Sequence, residues 1–110
     1  MKQDFKITRK ENVSIIYVTG EVDLYNVSSL KKELFSEAGN NDCTVLIADL
    51  SQVQYMDSSG VGALVAGHKK MTAKGGTFAL QNIPEDVLTI FKLATLDKFF
   101  KTVKEDWNGG

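Results

Sequence analysis

Two adjacent serines, Ser58 and Ser59, stand between an aspartate and a glycine, directly ahead of an apolar segment with helical spacing. A serine hydroxyl in this position can attack a substrate, line a phosphate-binding loop, cap the helix or accept a phosphate from another enzyme. Each role needs different companion residues elsewhere in the chain. The companions therefore decide which chemistry the serine pair supports.

A nucleophilic serine needs a base, and this chain offers a poor one. Its one histidine, His68, follows Ser58 by roughly two to three turns of the predicted helix, too far to take the serine proton directly. The spacing instead predicts that His68 packs at the edge of the core. The sequence contains no Walker loop, dinucleotide fingerprint or Gly-x-Ser-x-Gly elbow, and its single histidine and single cysteine, Cys43, make no zinc site. We expect no catalytic residue, no metal and no cofactor, and hence a protein that is not an enzyme.

The role that remains for the serine pair is that of a passive acceptor. Phosphorylation adds about −1.5 to −2 charges at pH 7, which a helix N-terminus tolerates. Beside Asp57, however, the phosphate concentrates negative charge and repels a docked partner, which predicts a switch on binding. A plainer alternative stays open, in which Ser58 or Ser59 only caps the helix.

Two glycines, Gly60 and Gly62, fall in the first turns of the same predicted helix. Each destabilises a helix by about 0.5 to 1 kcal/mol relative to alanine. Glycine at these helical positions predicts that a neighbouring part of the chain or a partner approaches the helix closely.

The composition narrows the class of protein. A chain of 110 residues with 43% apolar content suits one soluble domain, and 13 basic against 14 acidic residues argue against a nucleic-acid partner. No apolar run reaches the roughly 18 to 20 residues of a membrane span, and the N-terminus leads into no signal-peptide core. We therefore expect a cytoplasmic protein without a membrane span.

Apolar periodicity divides the chain into eight elements. Strands are predicted over 5–8, 13–19, 44–50, 77–80 and 99–103, and helices over 27–38, 58–73 and from Pro84 to Ala94. Gly39 and the Gly75-Gly76 pair are expected to end the first two helices, and Pro84 to open the third. The predicted order is strand, strand, helix, strand, helix, strand, helix, strand.

The run Thr44–Leu50 is apolar without alternation, which is typical of a strand covered on both faces in a parallel sheet. The fold class is therefore α/β, a mixed and mainly parallel sheet of about five strands with helices packed against it. We expect a single domain over residues 1–110, with a core at about 5–103 and a short C-terminal tail at 104–110. Functional groups should gather at the carboxyl ends of its strands, where the stretch 54–60 lies.

Two segments resemble a known family. ADLSQVQYMDSSGVGALV (48–65) and TGEVDLYN (19–26) are similar to the anti-sigma factor antagonists of the STAS domain family, and the match runs from about 5 to 103. The resemblance implies that the unphosphorylated protein binds an anti-sigma factor with serine kinase activity and frees a sigma factor. It also implies that this kinase phosphorylates Ser58, which prevents binding until a serine phosphatase restores the protein.

The resemblance further implies a partner-binding surface made by Asp23, Asp57, Ser58, Ser59 and Gly60. Asp57 would shape the acceptor loop, Asp23 would lie beside it, and Ser59 would be the companion hydroxyl and the expected helix cap. As ordinary aspartates, Asp23 and Asp57 could equally open their helices.

Three other residues stay ambiguous. Tyr25 and Met56 suit either a contact surface or the edge of the core. Thr95 stands where relatives often have glycine, so a helix end of the left-handed type would place a β-branched residue there.

STAS domains also serve as subunits of signalling scaffolds and as accessory parts of membrane transport systems, and this is the alternative function that the resemblance leaves open. An antagonist is expected to be a monomer or weak dimer, whereas a scaffold subunit should form a large assembly.

Overall fold

A computed structural model describes residues 5–103, and all structural statements concern that part of the chain. The elements follow in the order β1 (Lys6–Lys10), β2 (Val13–Val22), α1 (Val27–Ala38), β3 (Val45–Met56), α2 (Ser58–Ala73), β4 (Thr77–Gln81), α3 (Glu85–Leu93) and β5 (Lys101–Val103). The predicted order is confirmed. The predicted tail, 104–110, lies outside the described residues.

The strands form one sheet in the order β1-β2-β3-β4-β5. β1 pairs with β2 in antiparallel fashion through a tight turn at Glu11 and Asn12, whereas β2, β3, β4 and β5 run parallel to one another. β3 lies in the centre, as its unbroken apolar run predicts, and its residues 46–50 are all buried. The predicted fold class, a mixed and mainly parallel α/β sheet, is confirmed.

The main core lies between the sheet and its helices. Leu30 and Leu34 of α1 and Leu64 of α2 are fully buried there against strand residues such as Leu46. Gly67 lies where α2 packs on α1 and β4, since a Cβ at this position would stand 3.3 Å from the Phe78 ring and 3.5 Å from the Leu34 side chain. This packing fixes the direction of α2 and with it the place where the helix begins.

Two strands are several residues longer than the sequence predicts, whereas β5 is shorter than its predicted range of 99–103 and begins at Lys101. β2 continues through Gly20 to Val22, and β3 continues past Leu50 to Met56. The β2–β3 register shifts between Tyr17 and Thr19 and again after Gly20, which has a φ of 75°. Gly20 therefore lies at an irregularity inside a strand rather than at its end, because the neighbouring strand keeps the ladder going.

The helix ends partly match the predictions. α2 ends as predicted, with Gly75 at a φ of 82°. Gly39 follows α1 as predicted but keeps a right-handed backbone with a φ of −79°. Pro84 is the N-cap of α3 rather than its first helical residue, and Thr95 beyond its end has a φ of 57°. The β-branched residue thus occupies the left-handed position that favours glycine.

Within residues 5–103, no helix combines the length and the apolar character needed to cross a membrane.

Candidate functional site: the serine at the start of α2

A single residue, Asp57, connects the end of β3 to the start of α2. Its backbone N–H donates to the Val22 carbonyl oxygen at 3.0 Å, which extends the β2–β3 ladder by one more bond. The two neighbouring strands therefore end together. As a result, the loop after β2 and the start of α2 lie side by side at the carboxyl edge of the sheet.

The Asp57 carboxylate holds these two segments together. Its Oδ1 accepts hydrogen bonds from the Ser59 N–H at 2.9 Å, from the Gly60 N–H at 3.2 Å and from the Ser59 hydroxyl. Its Oδ2 accepts from the Leu24 N–H in the β2–α1 loop at 3.1 Å. One carboxylate thus caps α2 and anchors the adjoining loop.

The helix cap is Asp57, so the expectation that Ser58 or Ser59 caps α2 is wrong. Both serines already lie inside the helix, and the Ser59 hydroxyl donates to Asp57 instead of accepting from the backbone. The alternative that Asp57 opens its own helix is the one the structure supports. The reason is that the ladder bond to Val22 fixes Asp57 as the last non-helical residue.

The hydrogen bonds keep Asp57 ionised. The bond from the Ser59 hydroxyl is the largest cause that lowers the pKa of Asp57 below its ordinary value, and backbone N–H groups of Gly60, Ser59 and Leu24 add to it. Together they outweigh the partial burial that raises the pKa. The position beside Ser58 therefore carries a full negative charge at neutral pH.

The two serines differ in their surroundings. Ser58 is the first residue of α2 and is exposed, and its hydroxyl makes no hydrogen bond with any residue of the part described. Ser59 is half-buried and bonded to Asp57. Only the Ser58 hydroxyl is therefore available to an approaching protein without the loss of an existing bond.

Asp23 stabilises the loop that precedes α1. Its Oδ1 accepts from the Tyr25 N–H at 2.9 Å and from the Asn26 N–H at 3.2 Å. Asn26, and not Asp23, is the N-cap of α1, and its side chain accepts from the Asp23 N–H at 2.9 Å. Asp23 thus stabilises the loop whose Leu24 N–H bonds to Asp57, but it does not cap a helix.

The two helical glycines have different environments. A Cβ on Gly60 would stand 2.6 Å from Met56 Cγ and 2.9 Å from Val22 Cγ1, so Gly60 is needed for α2 to pack on the ends of β2 and β3. Gly62 is exposed, and a Cβ there would meet no described atom within 4 Å. The predicted close neighbour therefore exists for Gly60, and none of the described residues supplies one for Gly62.

Exposed apolar side chains flank the site. Leu24 is 71% exposed and Tyr25 is 93% exposed, whereas Met56 is fully buried in the core. Met56 is therefore part of the core, and Tyr25 does not lie at the edge of the core. We call Asp23, Leu24, Tyr25, Ser58 and Gly62 the acceptor surface. Leu24 is missing from the sequence-based set, although its place between a strand and a helix was a signal that could have identified it.

A second carboxylate, Asp49, is also missing from that set. It is only 2% exposed and accepts from the Ser51 N–H at 2.9 Å, from Gln81 Nε2 at 2.8 Å and from Asn82 Nδ2 at 2.9 Å. Burial raises the pKa of Asp49, but these hydrogen bonds together outweigh it, and the pKa lies below its ordinary value. Asp49 therefore ties the first half of β3 to the end of β4.

No group of three or more His, Cys, Asp and Glu side chains within 5–103 is arranged to hold a metal ion.

The fold and the site together define a small α/β domain that presents one unbonded serine hydroxyl beside an ionised carboxylate. The sequence profile of the STAS domain matches residues 4–106, so the chain belongs to the STAS domain family. The resemblance noted in the sequence is thereby confirmed. An anti-sigma-B factor antagonist of Bacillus subtilis is 29% identical over 97 residues, which cover 87% of this chain and 86% of that protein.

Solved structures share the fold. An anti-sigma factor antagonist from Mycobacterium paratuberculosis superposes with a TM-score of 0.81 at 24% identity, covering 93% of this chain and 86% of its own. The phosphorylated form of the Bacillus cell fate determinant SpoIIAA superposes with a TM-score of 0.72 at 21% identity, covering 93% of each chain. At this identity the likeness shows a common fold.

Proposed function

We propose that this protein is an anti-sigma factor antagonist whose binding is controlled by phosphorylation of Ser58. The unphosphorylated form binds an anti-sigma factor with serine kinase activity and releases the sigma factor that it held. The phosphorylated form does not bind, and a serine phosphatase restores it. The observation that carries this proposal is the exposed, unbonded Ser58 hydroxyl at the start of α2. The name of the Bacillus subtilis relative, an anti-sigma-B factor antagonist, supports the partner class.

Ser58 is a passive acceptor in this mechanism. Its hydroxyl oxygen forms a bond to the γ-phosphorus of ATP as the bond from that phosphorus to the bridging oxygen breaks. ADP leaves, and the hydroxyl proton goes to a base of the kinase. The neighbouring Asp57 carboxylate is a poor base, because its pKa is lowered and both of its oxygens already accept hydrogen bonds. The catalytic groups therefore belong to the kinase, and this protein is a substrate and binding partner rather than an enzyme.

The phosphate acts on the interface and not on the fold. It adds about −1.5 to −2 charges next to the ionised Asp57 and enlarges an exposed side chain. No hydrogen bond of Ser58 is lost, and the helix N-terminus favours a negative group. A partner docked on the acceptor surface meets both a like charge and a bulky obstacle, so the complex dissociates.

The other proposed site residues position Ser58 or its surroundings. Asp57 and Ser59 fix the start of α2, Asp23 shapes the loop that displays Leu24 and Tyr25, and Gly60 seats the helix on the strand ends. Among them, only Ser58 presents an unbonded group to the partner. Leu24 and Tyr25 supply apolar contact area of the kind that anchors protein interfaces.

The rest of the proposal follows from this role. Residues 1–110 form one domain that works in the cytoplasm as a monomer or weak dimer, without nucleic acid, metal or cofactor. Size in solution separates it from the scaffold alternative, because a scaffold subunit would run as a large assembly.

The test is to incubate the purified protein with ATP and candidate anti-sigma kinases and to map any phosphate by intact-mass and peptide mass spectrometry. We expect one phosphate on Ser58 and loss of the complex with the kinase. Ser59→Ala should still be modified, whereas Ser58→Ala should not. Modification of Ser59 instead, or a complex that survives phosphorylation, would overturn the proposal.

A further inference from the structure

A cleft of about 450 Å³ lies between the C-terminal half of α2, the start of β4 and the segment leading into β5. Its lining includes His68, Thr72, Thr77, Lys98, Phe99 and Lys101, and we call it the His68 cleft. His68 follows Ser58 by about 15 Å along the axis of α2, taking the usual rise per residue. The residues of the acceptor surface do not line this cleft, so its chemistry is separate from the switch.

Among the described residues that line the His68 cleft, both charged side chains are lysines. Lys98 and Lys101 line it, and none of the carboxylates in residues 5–103 pairs with either. Thr72 and Thr77 add side chains that can donate hydrogen bonds. The described lining includes no aspartate or glutamate. In a chain whose formal net charge is −1, this concentration of donors favours an anionic ligand.

His68 contributes a polar atom without a partner. Its Nδ1 is buried and makes no hydrogen bond with any residue in 5–103. Phe99 holds the ring edge to face at a centroid distance of 4.7 Å, and Phe78 and Phe100 stand at 6.4 Å each. Buried nitrogens nearly always have a partner, and His68 is one of the residues that line the cleft, so a ligand group that reaches Nδ1 would complete it.

Phe99 gives the cleft an apolar wall. The residue is 42% exposed, although its ring also packs on His68 and, at 5.0 Å, on Phe100. A partly exposed aromatic ring fixed by its neighbours offers a flat surface on which another flat group can stack. A volume of about 450 Å³ is within the range of small-molecule sites.

We propose that the His68 cleft binds a small organic anion with a flat apolar body. The negative group lies between Lys98 and Lys101, the body stacks on Phe99, and a polar atom of the ligand pairs with His68 Nδ1. The His68 cleft shares no residue with the acceptor surface, so binding there is independent of the phosphorylation switch.

The experiment follows amide NMR spectra of the isotope-labelled full chain during titration with naphthalenesulfonate, which joins an anionic group to a flat apolar body. We expect saturable shifts confined to amides around His68, Thr77 and Phe99. Naphthalenemethanol, which lacks the charge, and inorganic sulfate, which lacks the ring, should each bind at least roughly tenfold more weakly.

Matched variants separate this cleft from general surface charge. Lys98→Gln with Lys101→Gln should weaken binding roughly tenfold or more, whereas Lys31→Gln with Lys32→Gln, the same charge change on exposed residues of α1, should not. His68→Phe keeps an aromatic ring beside Phe99 but removes Nδ1, and it should also weaken binding. Shifts spread over other surfaces, or equal affinity in the Lys98 and Lys101 double variant, would overturn the proposal.

Discussion

The backbone N–H of Leu24 donates a hydrogen bond of 3.1 Å to the carboxylate of Asp57, 33 residues further along the chain. The same carboxylate caps the helix that begins with Ser58. The loop with exposed apolar side chains and the helix start that bears Ser58 are therefore held by one carboxylate. This arrangement makes Asp57 the residue on which the geometry of the acceptor surface depends.

Replacing Asp57 with alanine should reduce the free energy of unfolding by about 1 kcal/mol, because an N-cap is lost. Urea unfolding followed by circular dichroism measures this change. Asp42→Ala removes an exposed carboxylate whose side chain makes no hydrogen bond with the described residues, and it should leave stability within about 0.5 kcal/mol. Equal stability of the Asp57→Ala protein and the parent would show that the cap does not contribute.

Stability should fall in acid. The Arg9 hydrogen bond to Glu37 is the largest cause that lowers the pKa of Glu37, and the pKa values of Asp49 and Asp57 are lowered as well. A carboxylate with a lowered pKa in the folded state stabilises fully above its unfolded pKa, near 4, and loses this contribution as the pH falls through the folded value. The melting temperature should therefore decrease below about pH 4, and the decrease should be smaller in Asp57→Asn. If the melting temperature of Asp57→Asn fell in acid as steeply as that of the parent protein, Asp57 would not contribute to the acid dependence.

Ser58→Asp should weaken binding of the anti-sigma partner roughly tenfold or more, because it adds a like charge at the interface. Ser58→Ala should bind normally but resist inactivation by the kinase. Ser28→Asp is a matched control for the added charge, since Ser28, like Ser58, is an exposed serine in the first turn of a helix. Calorimetric titration gives the affinities, and unaltered binding by Ser58→Asp would weigh against the electrostatic part of the mechanism.

The two glycines of α2 should respond in opposite directions to alanine. Gly60→Ala should be destabilising, since its Cβ would stand 2.6 Å from Met56 Cγ and the buried side chains must shift. Gly62→Ala should stabilise the isolated protein by about 0.5 to 1 kcal/mol, because it adds helix propensity in open space. If a partner approaches Gly62 closely, the same substitution should weaken the complex. Thermal unfolding and partner titration of both variants test the pair, and a stabilising Gly60→Ala would be inconsistent with the packing described.

Thr95→Gly should stabilise the protein by about 1 kcal/mol. Thr95 has a φ of 57°, a conformation that a β-branched residue adopts with strain. Thr89→Gly, inside α3, should instead destabilise it, because glycine weakens a helix and the Thr89 hydroxyl bond to Glu85 is lost. Chemical unfolding of both proteins distinguishes backbone strain at one site from a general effect of glycine.

The strongly periodic elements could be predicted from sequence. α2 begins at Ser58 and ends at Ala73 as expected, because its apolar spacing and the following glycine turn both point to the same limits. The α/β class follows from the unbroken apolar run of β3. These features depend on local pattern, which the sequence contains in full.

Features set by distant partners could not be predicted in this way. Gly20 looks like the end of a strand, but pairing with β3 carries the ladder on to Val22. Asp57, Ser58 and Ser59 can each cap a helix, and the bond between Asp57 and Val22 decides which of them does. The exposure of Leu24 likewise depends on a hydrogen bond to a residue far along the chain.

The position of Ser58 in the first turn of α2 also decides what a kinase must recognise. A kinase recognises a serine in an extended segment as part of a linear peptide. Ser58 instead lies at the start of a capped helix that is held against two strand ends. The proposed kinase would therefore have to recognise a three-dimensional epitope, which a short peptide of the same sequence lacks. Under the proposed function, an unfolded copy of the chain should not be phosphorylated, so phosphorylation would also report that the protein has folded.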